Sequence, residues 1–297
     1  MISEVDILNC FQHLVDAKND ELVYIGSGDD AAVLKLKDNY LVHSLDVSKI
    51  GTHFPEHCQP DLIAYRSVAV ALSDLAAMGV YPSFLTIGLT SNEKNIQWYK
   101  KFTNGLEKII NEFNINLVGG DVTFGETNIC VNVFGFTNKN VLSRCDAKVG
   151  DLIYITGSLG KARKGLKDWK NKIDSSFVEN YFRPKAQIKK GIYISNYANA
   201  CIDISDGLTK DLGSIVEKSK VGAYIDFNKI PITTDFHDLS YGDDYELCFT
   251  APKKYQDKFN SNEYFLIGEI TKGNSLEILK DDKLITLNTE GWDSFNL

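Results

Sequence analysis

Apolar residues recur every three to four positions in some stretches of this chain and every second position in others, and the two periods lay out an alternating α/β order. Ser3-Glu-Val-Asp6 has the form of a capping box, and Ile7, Leu8, Phe11, Leu14 and Val15 follow it at helical spacing. An amphipathic first helix is predicted. Ala32, Leu34 and Leu36, then Leu41, His43 and Leu45, alternate on either side of Lys37-Asp-Asn39, which predicts a two-stranded hairpin. Pro60-Asp61 opens a second helix that runs to Met78 and stops at Gly79; it is rich in alanine and apolar on every side, so it belongs inside the protein. Residues 83–90 read as a strand. Ile96, Tyr99, Phe102, Leu106, Ile109 and Phe113 mark a third helix, and residues 116–121 and 129–136 supply two further strands.

Around residues 138–150 the pattern gives way to Asn, Lys, Asp and Gly, which marks a domain boundary and divides the chain into residues 1–145 and 146–297. A second α/β unit starts with the strand at 151–156. Gly157-Ser-Leu-Gly-Lys161 is no phosphate loop of the Walker type, because two residues rather than four separate its glycines; it reads as a strand-to-helix turn. Strands at 201–203, 247–249, 265–270 and 276–279, with a helix carrying Leu208, Leu212, Ile215 and Val216, complete a mixed α/β (α+β) fold of two domains.

Composition narrows the function classes. At 297 residues and 43% hydrophobic the chain can fill two ordinary cores, and a formal charge of -8 argues against nucleic acid or an anionic membrane as partner. The cysteines are scattered with no Cys-x-x-Cys pair, so they are expected reduced and mostly buried. No charged leader with an apolar run and no long apolar span is present, which makes the cytoplasm the expected location. His53 and His57 have zinc-helix spacing, but Pro55 between them breaks such a helix.

What stands out is a series of short acids. Asp29 and Asp30 enter the first strand of the hairpin and Asp46 leaves the second, so the hairpin gathers them at one end of the sheet. Asp74 interrupts the apolar helix, where a charge is costly unless paired, hydrogen bonded or bound to a metal. Gly119-Gly120-Asp121 ends a strand, either as a capped glycine turn or as a place where backbone amides approach a phosphate beside a metal-holding acid. Asp203, Ser205 and Asp206 precede a helix; Ser205 or Asp206 could cap it, while Asp203 has no such role. Arg144, in the boundary segment, reads by position as a solvated charge. Clustered carboxylates with few histidines nearby suit Mg2+ and nucleotide phosphates.

The motifs Gly28-Asp-Asp-Ala-Ala-Val33, Leu72-Ser-Asp-Leu-Ala-Ala-Met-Gly79, Val118-Gly-Gly-Asp121, Ile202-Asp-Ile-Ser-Asp-Gly-Leu208 and Asp244-Tyr-Glu-Leu247 resemble, in order, those of the thiamine-monophosphate kinase family. The resemblance implies transfer of the γ-phosphate of ATP to thiamine monophosphate, in the fold shared with aminoimidazole ribonucleotide synthetase. It implies an N-terminal ATP/Mg2+-binding domain whose sheet pairs with its twin in a homodimer, and a C-terminal α+β domain. By matching motif, Asp30, Ser44, Asp46, Asp74, Asp121, Asp203 and Asp206 would hold Mg2+, with catalysis resting on Asp121 and Asp206. Gly119, Gly120, Arg144 and Ser205 would contact ATP, and His53, Asp243 and Trp292 would face thiamine monophosphate. The chain departs from the family's pattern in three places. Leu45 replaces a hydroxyl residue, leaving a backbone carbonyl as the ligand there; Asp243 stands where glutamate is usual; Ser294 stands where histidine is common. Two other readings share the acids: a synthase of the same fold acting on an aminoimidazole ribonucleotide or selenophosphate precursor, and a nucleotide-binding regulator without catalysis.

Overall fold

The computed structural model describes residues 3–15, 21–259, 262–281, 283–285 and 291–292. Ser294 therefore lies outside the described residues. The first sheet is built from β1 (Val23–Ile25), β2 (Ala32–Lys35), β3 (Tyr40–Lys49), β4 (Pro82–Thr90), β5 (Asn116–Thr123) and β6 (Asn128–Thr137), in the order β1-β2-β3-β6-β4-β5. Only the β4/β5 pair is parallel. The accompanying helices are α1 (Glu4–Val15), α2 (Pro60–Ala77) and α3 (Ile96–Phe113).

The second half contributes β7 (Asp151–Ile155), α4 (Lys161–Lys170), α5 (Phe177–Phe182), α6 (Ile188–Ile194), β8 (Ala200–Asp203), α7 (Leu208–Ser219) and β9 (Gly222–Asp226). After these come α8 (Asp238–Tyr241), β10 (Leu247–Pro252), β11 (Phe265–Thr271), β12 (Leu276–Lys280) and β13 (Lys283–Ile285). Its sheet runs β13-β12-β9-β11-β7-β10-β8.

The apolar helix expected at the centre is there. α2 packs on β3 and β6 of the first sheet and on β8 of the second. One apolar cluster joins Val42, Val131 and Val133, through Leu72 and Leu75, to Leu152, Leu247 and Phe249. A helix with neighbours on both sides has no solvent face, which is why its sequence lacks a polar stripe.

The hairpin forms as expected, but the face it buries is the other one. Val33, Val42, Ser44 and Ser48 are buried, while Leu36 and Leu45 are 41% and 52% exposed. The outer face of β3 and β6 is apolar, with Val47 and Phe136 exposed beside Leu45, while the inner face of β3 carries Ser44, Asp46 and Ser48. β5, at the sheet's edge, is exposed along its whole length. The capping box of α1 closes reciprocally, with Asp6 N–H donating to Ser3 Oγ (3.2 Å) and Ser3 N–H to Asp6 Oδ2 (2.8 Å). Its apolar residues Val5, Leu8, Phe11 and Leu14 are all more than half exposed. All six cysteines are free, and only Cys201 and Cys248 are buried, fewer than expected because Cys10 sits on the exposed α1 and Cys145 in the boundary segment. Among the described residues no helix is long and apolar enough to cross a membrane.

Candidate active site

Continuing the β2/β3 register past the Ala32–His43 pair brings Asp29 and Asp30 alongside Leu45 and Asp46. Asp74 reaches the same place from α2 and Asp203 from the end of β8. Carboxylate oxygens of Asp30, Asp74 and Asp203 all lie within 4.8 Å of one another. Ser44 donates its hydroxyl hydrogen bond to Asp74 Oδ2, so β3 supplies a fourth oxygen beside the three acids.

The electrostatics register the crowding. Asp74 is held well above the usual carboxylate range, first by burial and then by the charges of Asp46, Asp203 and Asp30. Burial, followed by Asp30, does the same to Asp203. Burial pushes Asp46 up to about 6, and burial with the neighbouring Asp30 charge pushes Asp29 up to about 6. Acids this close repel unless a proton or cation lies between them, and an all-oxygen set of short carboxylates with a hydroxyl fits a hard divalent ion such as Mg2+.

This crowding sets a pH dependence. The folded pKa values of Asp29 and Asp46 lie above the ordinary 3.8, so the metal-free fold binds more protons than the unfolded chain across that interval. The stability they contribute is full below 3.8 and is lost as pH rises through about 6, with Asp74 and Asp203 extending the loss higher. Melting in a chelator is therefore expected to fall between pH 5 and 8, and Mg2+ should flatten the profile. A chelated protein that gains stability over that range would contradict the carboxylate cluster.

Arg144 is not the solvated boundary charge its position suggested. Its guanidinium clasps Asp30, with Nη2 donating to Oδ1 (2.7 Å) and Nε to Oδ2 (3.3 Å), while its backbone N–H donates to Asp29 Oδ2 at 3.1 Å. Burial works against its charge, but the carboxylates, Asp30 first, hold its pKa above the ordinary value. Ser219 Oγ donates to the Arg144 carbonyl (2.9 Å) and thus ties this segment to the last turn of α7.

The loop after β8 is shaped by a residue that the sequence reading passes over. Asp211 Oδ2 accepts from the backbone N–H groups of Ser205 (3.1 Å), Asp206 (3.1 Å) and Gly207 (3.0 Å). Neither Ser205 nor Asp206 caps α7; Gly207 occupies that position at φ +117°, a left-handed conformation suited to glycine, with no room for a Cβ against Ser240. Asp206 is half-buried and pairs with Lys210 at 2.7 Å.

Asp121 stands outside the three-acid group. It is exposed on β5, and the register places it in a row with Gly88, Cys130 and Val47, while the neighbouring row carries Gly120, Ile87, Val131 and Asp46. Gly120 has a packing reason to be glycine, since a Cβ there would sit 2.1 Å from the Ile87 carbonyl oxygen. Gly119 is exposed beside it, and Leu45 points an exposed side chain away from the acids.

His53, Asp243 and Trp292 form a separate group. His53 and Trp292 meet edge to face at 5.5 Å. Lys49 N–H donates to His53 Nδ1 at 3.0 Å, which leaves the ring proton on Nε2. Burial, then the Arg66 charge, lowers the His53 pKa and favours the neutral ring. Arg66, which is 3% exposed in α2, donates to Asp243 Oδ1 and to the carbonyls of His53 (3.1 Å) and Tyr181 (2.6 Å). Asp243 and Tyr245 both take left-handed backbone angles, φ +65° and +52°.

Two mixed sheets about one buried helix, with carboxylates converging where the helix meets both sheets, define a protein of the AIR synthase related class. Residues 28–137 match the family described as AIR synthase related protein, N-terminal domain, and residues 148–281 its C-terminal domain. Among curated proteins the chain is 39% identical to a thiamine-monophosphate kinase of Buchnera aphidicola from Schizaphis graminum (94% of each chain covered) and 34% identical to that of Escherichia coli K12 (92% of each). A solved structure described as AaThiL complexed with AMPPCP and TMP superposes with a TM-score of 0.86 at 25% identity, covering 98% of this chain and 96% of the other. The chain belongs to the thiamine-monophosphate kinase family.

Proposed function

We propose that this protein transfers the γ-phosphoryl group of ATP directly to the phosphate of thiamine monophosphate, giving thiamine diphosphate. The observation that carries the reading is the convergence of Asp30, Asp74 and Asp203 within 4.8 Å, a site built to hold polyanions through a cation. Asp30, Ser44, Asp46, Asp74, Asp203 and Asp206 are the residues of this group that would bind Mg2+, with Asp121 joining from β5. When bound, Mg2+ supplies neutralisation of the phosphate charge. Arg144 and the Ser205 loop would hold the nucleotide, with Gly119 and Gly120 at its edge. His53, Asp243 and Trp292 would orient the acceptor. The acceptor phosphate is already an anion near neutral pH and needs no strong base, and no histidine or cysteine lies in the acidic motifs to carry a covalent phosphate.

The same proposal assigns nucleotide binding and dimerisation to residues 1–145 and the α+β partner domain to 146–297. Its support for a homodimer is the apolar outer face of the first sheet, where Leu36, Leu45, Val47 and Phe136 are 41%, 52%, 45% and 43% exposed on a surface that a second copy would cover. Its place of action is the cytoplasm, where ATP is at hand. Incubation with ATP, Mg2+ and a panel of thiamine, thiamine monophosphate and aminoimidazole precursors is expected to release ADP with thiamine monophosphate alone. ATP/ADP isotope exchange in the absence of acceptor would instead indicate a phosphoenzyme and end the direct-transfer reading.

A further inference from the structure

We propose that Arg66 is the positioning residue of the acceptor site, an inference that rests on the kinase reading above. The three groups Arg66 binds come from three distant segments: the turn after β3 (His53 carbonyl), the last turns of α5 (Tyr181 carbonyl) and the turn before β10 (Asp243 carboxylate). A planar guanidinium donates in fixed directions, so one side chain dictates how these walls stand relative to each other. Burial works against the Arg66 charge, but Asp243 foremost holds its pKa above the ordinary value, so the pair stays ionised.

The surroundings close the arrangement. The guanidinium lies 4.3 Å from the Tyr181 ring centroid and 5.8 Å from that of Tyr245. Tyr181 Oη donates to the same His53 carbonyl (3.1 Å), and Tyr245 Oη to the same Asp243 Oδ1 (3.1 Å). Residues Asp243 and Tyr245 hold left-handed backbone angles that side chains rarely adopt. Their N–H groups donate to the carbonyls of Ser205 (2.8 Å) and Ile204 (2.9 Å), so the acceptor turn is seated on the loop that follows β8. With Oδ1 engaged by Arg66 and Tyr245, Asp243 keeps Oδ2 for the acceptor, and His53 keeps Nε2–H. Arg66 thus acts through His53 and Asp243, without touching the transferred phosphate.

Arg66→Lys retains the charge but replaces the planar fork by one nitrogen. Steady-state kinetics should show KM for thiamine monophosphate raised about tenfold, with KM for ATP within about twofold and kcat within about threefold of wild type. A merely structural arginine would alter both KM values together, and that outcome, or an unchanged KM for the acceptor, overturns the proposal. Arg66→Met strands the Asp243 charge and could compromise folding, so it is paired with the Arg66→Met/Asp243→Asn double variant, from which both charges are gone. In that cycle the double variant should bind the acceptor more weakly than Asp243→Asn alone, because the His53 wall is also released, but with a total loss smaller than the sum of the two single losses; strictly additive losses overturn the coupling. A wild-type protein that fails to phosphorylate thiamine monophosphate ends the kinase reading itself, whereas an active wild type with an unaffected Arg66→Lys ends only the role of Arg66.

Discussion

Asp203→Asn should leave the protein folded, more heat-resistant without metal than the wild type, and nearly inactive. Asp203 is 3% exposed and sits within 4.8 Å of two other carboxylates. In the absence of a cation its charge is opposed by burial and by Asp30, and the amide has the same shape without that charge. Relief of about 1–3 kcal/mol is what Coulomb's law gives for one like-charge contact at effective dielectrics between that of water and about 20, which for a chain of this length raises Tm in a chelator by about 2–5 °C. The same change removes a ligand from the site that must hold two polyanions together. Loss of about 4 kcal/mol of transition-state stabilisation lowers kcat roughly 10³-fold. Differential scanning fluorimetry in chelator, read beside ADP release, checks both halves. A variant that melts lower in chelator yet works normally would show that Asp203 is a structural acid.

The second large effect is expected at Asp211, which touches no substrate in this account. Asp211→Ala strands the N–H groups of Ser205, Asp206 and Gly207, all of which now donate to one carboxylate oxygen. Leaving a buried donor unpaired costs about 1–3 kcal/mol, and water entering the opened space would recover part of the sum, so a loss of about 3–4 kcal/mol is expected. That corresponds to a fall in Tm of roughly 5–6 °C, and ATP affinity should drop with it because the loop carrying Ser205 and Asp206 loses its shape. Asp211→Asn keeps an acceptor oxygen and should behave far more mildly. Thermal melts of the two variants decide the matter: equal behaviour would mean that the three hydrogen bonds contribute little.

How far this was legible in the sequence depends on the kind of signal. Asp74 announces itself because a carboxylate inside an all-apolar helix has few innocent explanations, and the structure finds it among the converging acids. Arg66 carries the same signal eight positions earlier, but hydropathy alone does not reveal that Asp243 is its partner, 177 residues away in the chain. Asp211 gives no signal at all, since an acid in the first turn of an amphipathic helix is ordinary. Period locates the strands, yet it points to the wrong face of β3, because the inner face carries the polar Ser44, Asp46 and Ser48 of the site while Leu41, Leu45 and Val47 lie on the outer one. Position alone misleads at Arg144, where the motif resemblance does not: segments between domains are usually solvated, and here the boundary folds back onto Asp29 and Asp30.

Arg66 and Asp74 project from one helix, eight residues apart, a separation of about 12 Å along its axis. α2 is packed by both sheets, and Leu72, Leu75 and Ala76 within or just beyond that interval have no measurable exposure. Such a helix neither stretches nor slides, so the span between the acceptor's anchoring point and the carboxylates is a fixed length. The protein would then measure its acceptor as a gauge does. A single residue inserted between positions 66 and 74 would turn one end by about 100° relative to the other, and no repacking of loops could restore the match.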